Sequence, residues 1–431
     1  MPDRATGRGL IVAASSSGSG KTLVTLGLLR ALRRRGVPVA SAKSGPDYID
    51  PSFHTLAGSS SCVNLDGWAM RPELVRGLAS SQAEAGMLLV EGAMGLFDGA
   101  ADGSGSAAAL ARELMLPAVL VVDVARQSQS VAALVHGFTT FPDAPGIAGV
   151  ILNRVASTRH EAMLRTALEN VGANVLGAVA RDDGLVLPSR HLGLVQAGEL
   201  GQIEAFIERA ADAMEAGIDL GGLVAAMRPV PTAAMPAVPA PDASVIAVAR
   251  DAAFAFSYPH HVRGWKGAGR TLRFFSPLAD EAPDEGAGHV YLPGGYPELH
   301  AGRLAGNRVF LEGLRQAAAR GATVHGECGG YMALGRGLID AEGREHAMAG
   351  LLDLVTSFAR RRRTLGYRRW RTTGGVTVRG HEHHHCTAVR EEGQAFAVPQ
   401  DALGQGLGPQ GLRRDNVSGS WLHLVDHEAA A

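Results

Sequence analysis

An apolar run, Gly9–Ala13, leads into Ala13-Ala-Ser-Ser-Ser-Gly-Ser-Gly-Lys-Thr22, and an amphipathic run, Leu23–Arg35, leads out. Strand, small-residue loop, Lys-Thr and helix in that order are the P-loop context, which narrows the fold more than any other part of the chain. Small residues let consecutive backbone N–H groups curl around phosphate oxygens, and the helix that follows points its positive end at them. Ser17, Gly18, Ser19, Gly20, Lys21 and Thr22 are therefore the nucleotide-binding candidates. Lys21 is expected at the β- and γ-phosphates and the Thr22 hydroxyl on Mg²⁺. Ser15 stands where G-x-x-x-x-G-K-[ST] has its first glycine, a relaxed form common in P-loop proteins that process metabolites. The competing reading is a bland glycine–serine loop, and the strand–helix context argues against it.

Short β-rich runs alternate with helical patterns through the first half. Leu10–Ala13, Val37–Ala42, Met87–Val90, Ala118–Val124, Ile147–Leu152 and Val175–Val179 read as strands, with helices such as Thr22–Arg35 and Thr158–Asn170 between them. Such alternation predicts a doubly wound, mostly parallel sheet with ligands at the strands' carboxyl ends. Between Arg228 and Ser244 five prolines sit among alanines and valines, the pattern of a semi-rigid linker. A second β/α series follows at Val245–Ala249, Leu272–Phe275, Val290–Leu292 and Thr323–His325. The expected domains are 1–228, a linker over 229–243, and 244–431.

Composition matters for what it excludes. A net charge of −1 over 431 residues argues against nucleic acid or an acidic membrane surface as the main partner. Cys62, Cys328 and Cys386 are too few and too scattered for a disulfide framework. With no signal-like N-terminus and no apolar run near ~20 residues, a cytoplasmic location is expected.

Two acidic segments follow predicted strands in the first half. Lys43-Ser-Gly-Pro-Asp-Tyr-Ile-Asp-Pro-Ser-Phe-His54 presents Asp47, Tyr48 and Asp50, suited to Mg²⁺ or substrate, with a solvated turn as the alternative. Glu91-Gly-Ala-Met-Gly-Leu-Phe-Asp-Gly99 opens with an acid in the Walker B position, so Glu91 is expected on Mg²⁺ directly or through water. Asp98, seven residues on, is placed to touch metal or substrate. Asn153 follows a further apolar run, where its amide could read an adenine edge or serve as a turn residue. Ala156 stands where a guanine reader needs aspartate, which leans the nucleotide to ATP.

In the second half, consecutive glycines Gly294 and Gly295 follow a short strand and can aim N–H groups at an oxyanion. Thr323-Val-His-Gly-Glu-Cys-Gly-Gly-Tyr-Met332 puts Cys328 at a glycine-flanked strand-to-helix turn, the sulfur counterpart of a nucleophile elbow. The helix N-terminus is expected to lower the thiol pKa. His423 is the candidate base, with a core histidine as the alternative. His381-Glu-His-His-His-Cys386 tempts a metal reading, but its spacing suits a strand at a domain interface better than a tetrahedral site. Arg360–Arg363 reads as a solvated or substrate-facing charge run.

Together these segments resemble one family. A P-loop amidoligase domain joined to a class I glutamine amidotransferase-like α/β domain is similar to the corrin a,c-diamide synthases. The likeness rests on Ala14–Thr22, Lys43–His54, Glu91–Gly99, Ile151–Val155, Ser189–Glu199, Phe274–Glu281, Leu292–Ala301, Gly326–Gly335, Leu365–Arg368 and Arg379–Glu382. The resemblance implies ATP-dependent phosphorylation of a corrin carboxylate, then displacement by ammonia from glutamine, at the c and a acetates. It implies Lys21, Thr22 and Glu91 for nucleotide and Mg²⁺, with Asp47, Tyr48, Asp50 and Asp98 near the reacting carboxylate. Cys328 would attack glutamine, with His423 as base and Gly294–Gly295 at the oxyanion. Corrinoid, glutamine and ATP are the implied partners, and a homodimer stays open.

Two departures stand out. Class I amidotransferases typically carry a glutamate two residues after the histidine, and here that residue is Val425. Phe254-Ala-Phe-Ser-Tyr-Pro-His-His261 differs from the commoner F-x-F-Y-Y-x-E-N-L and resembles members of the late-cobalt pathway, favouring metal-free hydrogenobyrinate over cobyrinate. A different class, a partner-regulated P-loop switch or partitioning ATPase, would carry an early lysine where Ser16 stands and has no use for Cys328. A regulatory protein with a dead amidotransferase domain is the third reading.

Overall fold

The computed structural model describes residues 7–58, 60–185 and 202–428. The Ser189–Glu199 segment lies outside them. The chain divides into two compact units, Met1–Pro236 and Ala237–Ala431.

In the first unit, strands and helices alternate. They are β1 (Arg8–Ala14), α1 (Lys21–Arg34), β2 (Val39–Ser44), α2 (Asp50–Ala57), β3 (Val63–Leu65), α3 (Pro72–Ala83), β4 (Met87–Glu91) and α4 (Ala107–Glu113), then β5 (Ala118–Asp123), α5 (Val131–Thr140), β6 (Ile147–Val155), α6 (Thr158–Glu169), β7 (Val175–Ala180), α7 (Ile203–Gly217), α8 (Leu220–Ala226) and β8 (Arg228–Pro229). The sheet runs β3-β2-β4-β1-β5-β6-β7, all parallel, and β8 adds antiparallel to β1. Leu10–Val12, Leu88–Val90 and Leu120–Val122 are fully buried, as central parallel strands covered on both faces must be. The P-loop leaves β1, the Lys43 segment leaves β2 and Glu91 ends β4, so the three meet at one edge because these strands are neighbours.

Proline spacing suggested a linker, yet its two ends are tied to their own units. The Val230 N–H donates to the Gly7 carbonyl, and that of Ala233 donates to Ser80. Farther on, the Trp265 indole donates to the Pro239 carbonyl within the second unit.

The second unit contains β9 (Val245–Ala249), α9 (Pro259–Gly267), β10 (Thr271–Phe275), β11 (His289–Leu292), α10 (Ala301–Gly306), α11 (Arg308–Ala319), β12 (Thr323–Glu327) and α12 (Gly329–Leu334). A strand-rich remainder follows: β13 (Gly337–Ile339), β14 (Glu345–Ala347), β15 (Leu354–Ser357), β16 (Thr364–Arg371), β17 (Thr377–His384), β18 (Thr387–Glu391), β19 (Gln394–Ala397), β20 (Gln410–Arg414), β21 (Val417–Ser420) and β22 (Leu422–His427). The main sheet runs β10-β9-β11-β12-β21-β20-β19, parallel through β21, with smaller sheets β14-β13-β15-β18 and β16-β17-β22. The histidine run thus continues along β17, the central strand of the three-stranded sheet, where His381 pairs in register with His423. Arg360–Arg363 is exposed. Among the described residues no helix is long and apolar enough to cross a membrane.

Candidate active site

The first site is a cavity of about 720 Å³ over the P-loop, lined by Gly18, Lys21, Thr22, Asp47, Asp50 and Glu91 among others. Gly18 lines this cavity at φ +78°, the left-handed region that favours glycine. Gly20 is held from behind. A Cβ on it would fall 2.1 Å from Asn153 Nδ2, the atom that donates to the Ser19 carbonyl at 2.9 Å. Asn153 therefore braces the loop and also lines the cavity. Lys21 donates to the carbonyls of Ser16 and Met94.

Glu91 is the hub. Its Oε1 accepts from Thr22 Oγ1 at 2.7 Å and from Lys43 Nζ at 2.8 Å, while Oε2 meets His54 Nε2 at 2.6 Å. Lys43 also pairs with Asp50 at 2.6 Å. Burial alone would protonate Glu91, but Lys43 and His54 hold its carboxyl well below the usual range. Against the same burial penalty, Cys62 and Glu91 lift His54 to about 10. Burial outweighs Lys43 at Asp50, raising it to about 6. Asp47 faces the cavity while its Oδ1 accepts the N–H groups of Ile49 and Asp50 at 2.7 and 3.2 Å, shaping the turn before α2. Asn64 fixes the same turn through the carbonyls of Gly45 and Asp47. Asp98 is exposed and accepts the Gly95 N–H at 2.8 Å. Tyr48 lies in this turn, half-buried.

Lys43 and His54 bound the Lys43–His54 segment, and nothing in the sequence sets them apart from its other residues. A lysine inside a β-strand carries little signal until the neighbouring strand is known to end in an acid.

The second site surrounds Cys328. It sits between β12 and α12 at φ 46°, ψ −101°, a strained conformation for a side-chain-bearing residue. The surrounding glycines permit the turn: a Cβ on Gly330 would lie 2.0 Å from the Leu292 carbonyl oxygen. Gly295 N lies 3.0 Å from the Cβ position of Gly329, and His423 Cε1 lies 2.5 Å from that of Gly294. The double glycine therefore stands between the residue after the cysteine and the candidate base. Phe256 N–H donates to the Gly294 carbonyl at 2.9 Å, fixing that peptide's direction.

The thiol differs from its sequence-based expectation. Helix α12 has six residues, and Cys328 is 4% exposed. Burial, reinforced by Glu298, pushes the thiol pKa up rather than down. The sulfur instead contacts the His383 carbonyl at 3.7 Å. A buried neutral thiol needs a base to become a nucleophile. His423 is itself held neutral, at about 3, by burial and the neighbouring His383 and His384.

Comparison with known proteins covers both stretches of the chain. Residues 10–195 match the CobQ/CobB/MinD/ParA nucleotide binding domain, and residues 245–430 match the CobB/CobQ-like glutamine amidotransferase domain. A hydrogenobyrinate a,c-diamide synthase of Brucella anthropi is 57% identical, covering 97% of this chain and 98% of that protein. The Rhizobium meliloti protein of that name is 54% identical over 97% of this chain and 99% of its own, and the Rhodobacter capsulatus one 52% over 97% and 98%.

Proposed function

The chain belongs to the hydrogenobyrinate a,c-diamide synthase family, and we propose a division of its chemistry between the two sites. It is a glutamine-dependent carbon–nitrogen ligase of cobalamin biosynthesis that uses a nucleotide. In the first unit, the P-loop and Lys21 hold the ATP phosphates, and a corrin acetate carboxylate attacks the γ-phosphorus, breaking its bond to the β-phosphate oxygen, to give an acyl phosphate and ADP. Asp47, Tyr48, Asp50 and Asp98 position that carboxylate. In the second unit, Cys328 attacks the glutamine amide, His423 takes the thiol proton and the Gly294–Gly295 backbone faces the oxyanion. The ammonia released displaces phosphate from the acyl phosphate. Metal-free hydrogenobyrinate is the preferred ring.

Mg²⁺ fits the donor set. Thr22, Glu91 and Asp47 offer hard oxygens, and no group of three metal-ligating side chains closes on one point among the described residues. A metal that shares its ligands with phosphates suits such a site, where it would neutralise phosphate charge.

The observation that carries this reading is one chain holding both a phosphate cradle and a strained, buried cysteine at a glycine-lined turn. A partner-regulated switch would need only the first. Hydrogenobyrinate and cobyrinate, incubated in parallel with glutamine and Mg-ATP, test the proposal through product masses. The expected result is a doubly amidated product, formed faster from hydrogenobyrinate. No amide product from either ring would refute it.

A further inference from the structure

The residue two positions after His423 is Val425, so the acid that usually orients the histidine is missing. Val425 does something else: its carbonyl accepts from His260 Nε2 and His261 Nε2, both at 2.9 Å. Those bonds pin β22 one turn of the pleat beyond the histidine. A carboxylate reaches His423 from another strand. Glu327, the last residue of β12, is 3% exposed, and its Oε2 lies 3.8 Å from His423 Nδ1. The same oxygen accepts from Tyr291 Oη at 2.8 Å, while Oε1 accepts the Leu424 N–H at 3.2 Å. The Leu424 bond ties the carboxylate to the residue next to the histidine. His325 Nε2 approaches Oε1 at 4.0 Å from the same strand, and His381 stacks on His423 at 4.7 Å between centroids.

We propose that Glu327 is the positioning residue for His423, replacing the absent acid from the position just before the nucleophile. The inference rests on the glutaminase reading of the second site. Glu327 orients Nδ1 and leaves Nε2 for the thiol. The S–H bond breaks, its proton passes to Nε2, and the sulfur attacks the amide carbon. The proton then leaves with the amide nitrogen as the C–N bond breaks, giving ammonia and a thioester that water hydrolyses to glutamate. Glu327 keeps its proton state throughout and offsets the transient imidazolium charge. A carboxyl in direct hydrogen bond to such a histidine supports ~10⁴-fold in rate, and the longer reach here sets a smaller expectation, ~10²-fold.

Glu327→Gln tests it in the full-length enzyme, with glutamate release from glutamine as the readout. Burial raises Glu327 to about 7, so wild-type kcat should fall as pH drops through that value. The variant should lose about 10²-fold in kcat with little change in KM, and its remaining rate should be flat across that pH range. Tyr291→Phe keeps the carboxylate but loosens it, and should lose less while retaining the pH dependence. Thermal melting confirms that each variant is folded, and if Glu327→Gln does not fold, Tyr291→Phe alone decides. A folded Glu327→Gln with wild-type kcat and pH profile overturns the role of Glu327 alone, as does a Tyr291→Phe with wild-type kcat. Wild type that releases no glutamate overturns the glutaminase reading, and this inference with it.

Discussion

Glu91 and Glu327 are both buried carboxylates that end a central parallel strand, and their surroundings treat them oppositely. Glu91 is held ionised by Lys43 and His54 in spite of burial. Glu327 meets a phenol and a backbone N–H, and burial pushes it up to about 7. In the proposed chemistry the first site receives a polyanion with its cation, and standing charges of both signs are set out there in advance. The second, in the same proposed chemistry, creates charge only while a bond breaks, and its thiol and imidazole rest neutral beside a carboxyl that titrates at about 7. One chain thus builds two electrostatic regimes from the same element, a strand ending in glutamate.

The largest effect that would sharpen this contrast is expected from Cys328→Ala. Glutamine-driven amidation should fall by ~10⁶-fold, the scale of a lost nucleophile, while amidation from added ammonium salt persists. Equal loss from both nitrogen sources, with the fold intact, would break the separation. Next comes Lys43→Met, which strands Glu91 and Asp50 without their cation. Breaking a buried pair from one side costs ~3–5 kcal/mol, readable as a lowered denaturation midpoint. An unchanged midpoint would mean that the charges of the first site are not held as described. Lys21→Ala should lower synthesis from either nitrogen source by ~10²–10³-fold while leaving glutamate release measurable.

The smallest effect is the pH response of stability, and its sign differs between units. His54 has a raised pKa, so its contribution is complete below 6.5 and is lost as pH rises toward about 10. In the second unit burial lowers the pKa of His260, His261, His289, His325, His381, His385 and His423. These contribute above 6.5 and lose that support as pH falls. Glu298 and Glu327, both raised to about 7 by burial, act the other way, but two carboxyls oppose seven imidazoles. Thermal proteolysis should release fragments of the first unit earlier at pH 9 and of the second earlier at pH 5. Identical responses in both units would contradict the assignment.

Much of this was legible in the chain. The parallel sheet followed from apolar runs such as Leu88–Val90 because buried parallel strands need no alternation. β3, with three residues, and the strands from β13 to β19 other than β17 were not legible, being short or rich in charge. Lys21, Thr22, Glu91 and Cys328 announce themselves because local backbone geometry demands neighbours of fixed type. Lys43, His54 and Glu327 do not, since each acquires its meaning from a partner on another strand. A low thiol pKa is not found because burial of Cys328 outweighs the pull of a six-residue helix.

The brace from Asn153 to the Ser19 carbonyl bears on the entropy of ligand capture. Fixing one backbone residue costs ~1–2 kcal/mol, and an unbraced phosphate loop would draw that sum from its ligand at every turnover. Here the side chain of β6 shapes the loop as the protein folds. More of the phosphate's interaction energy is then left to appear as affinity, and loop ordering need not slow each catalytic cycle.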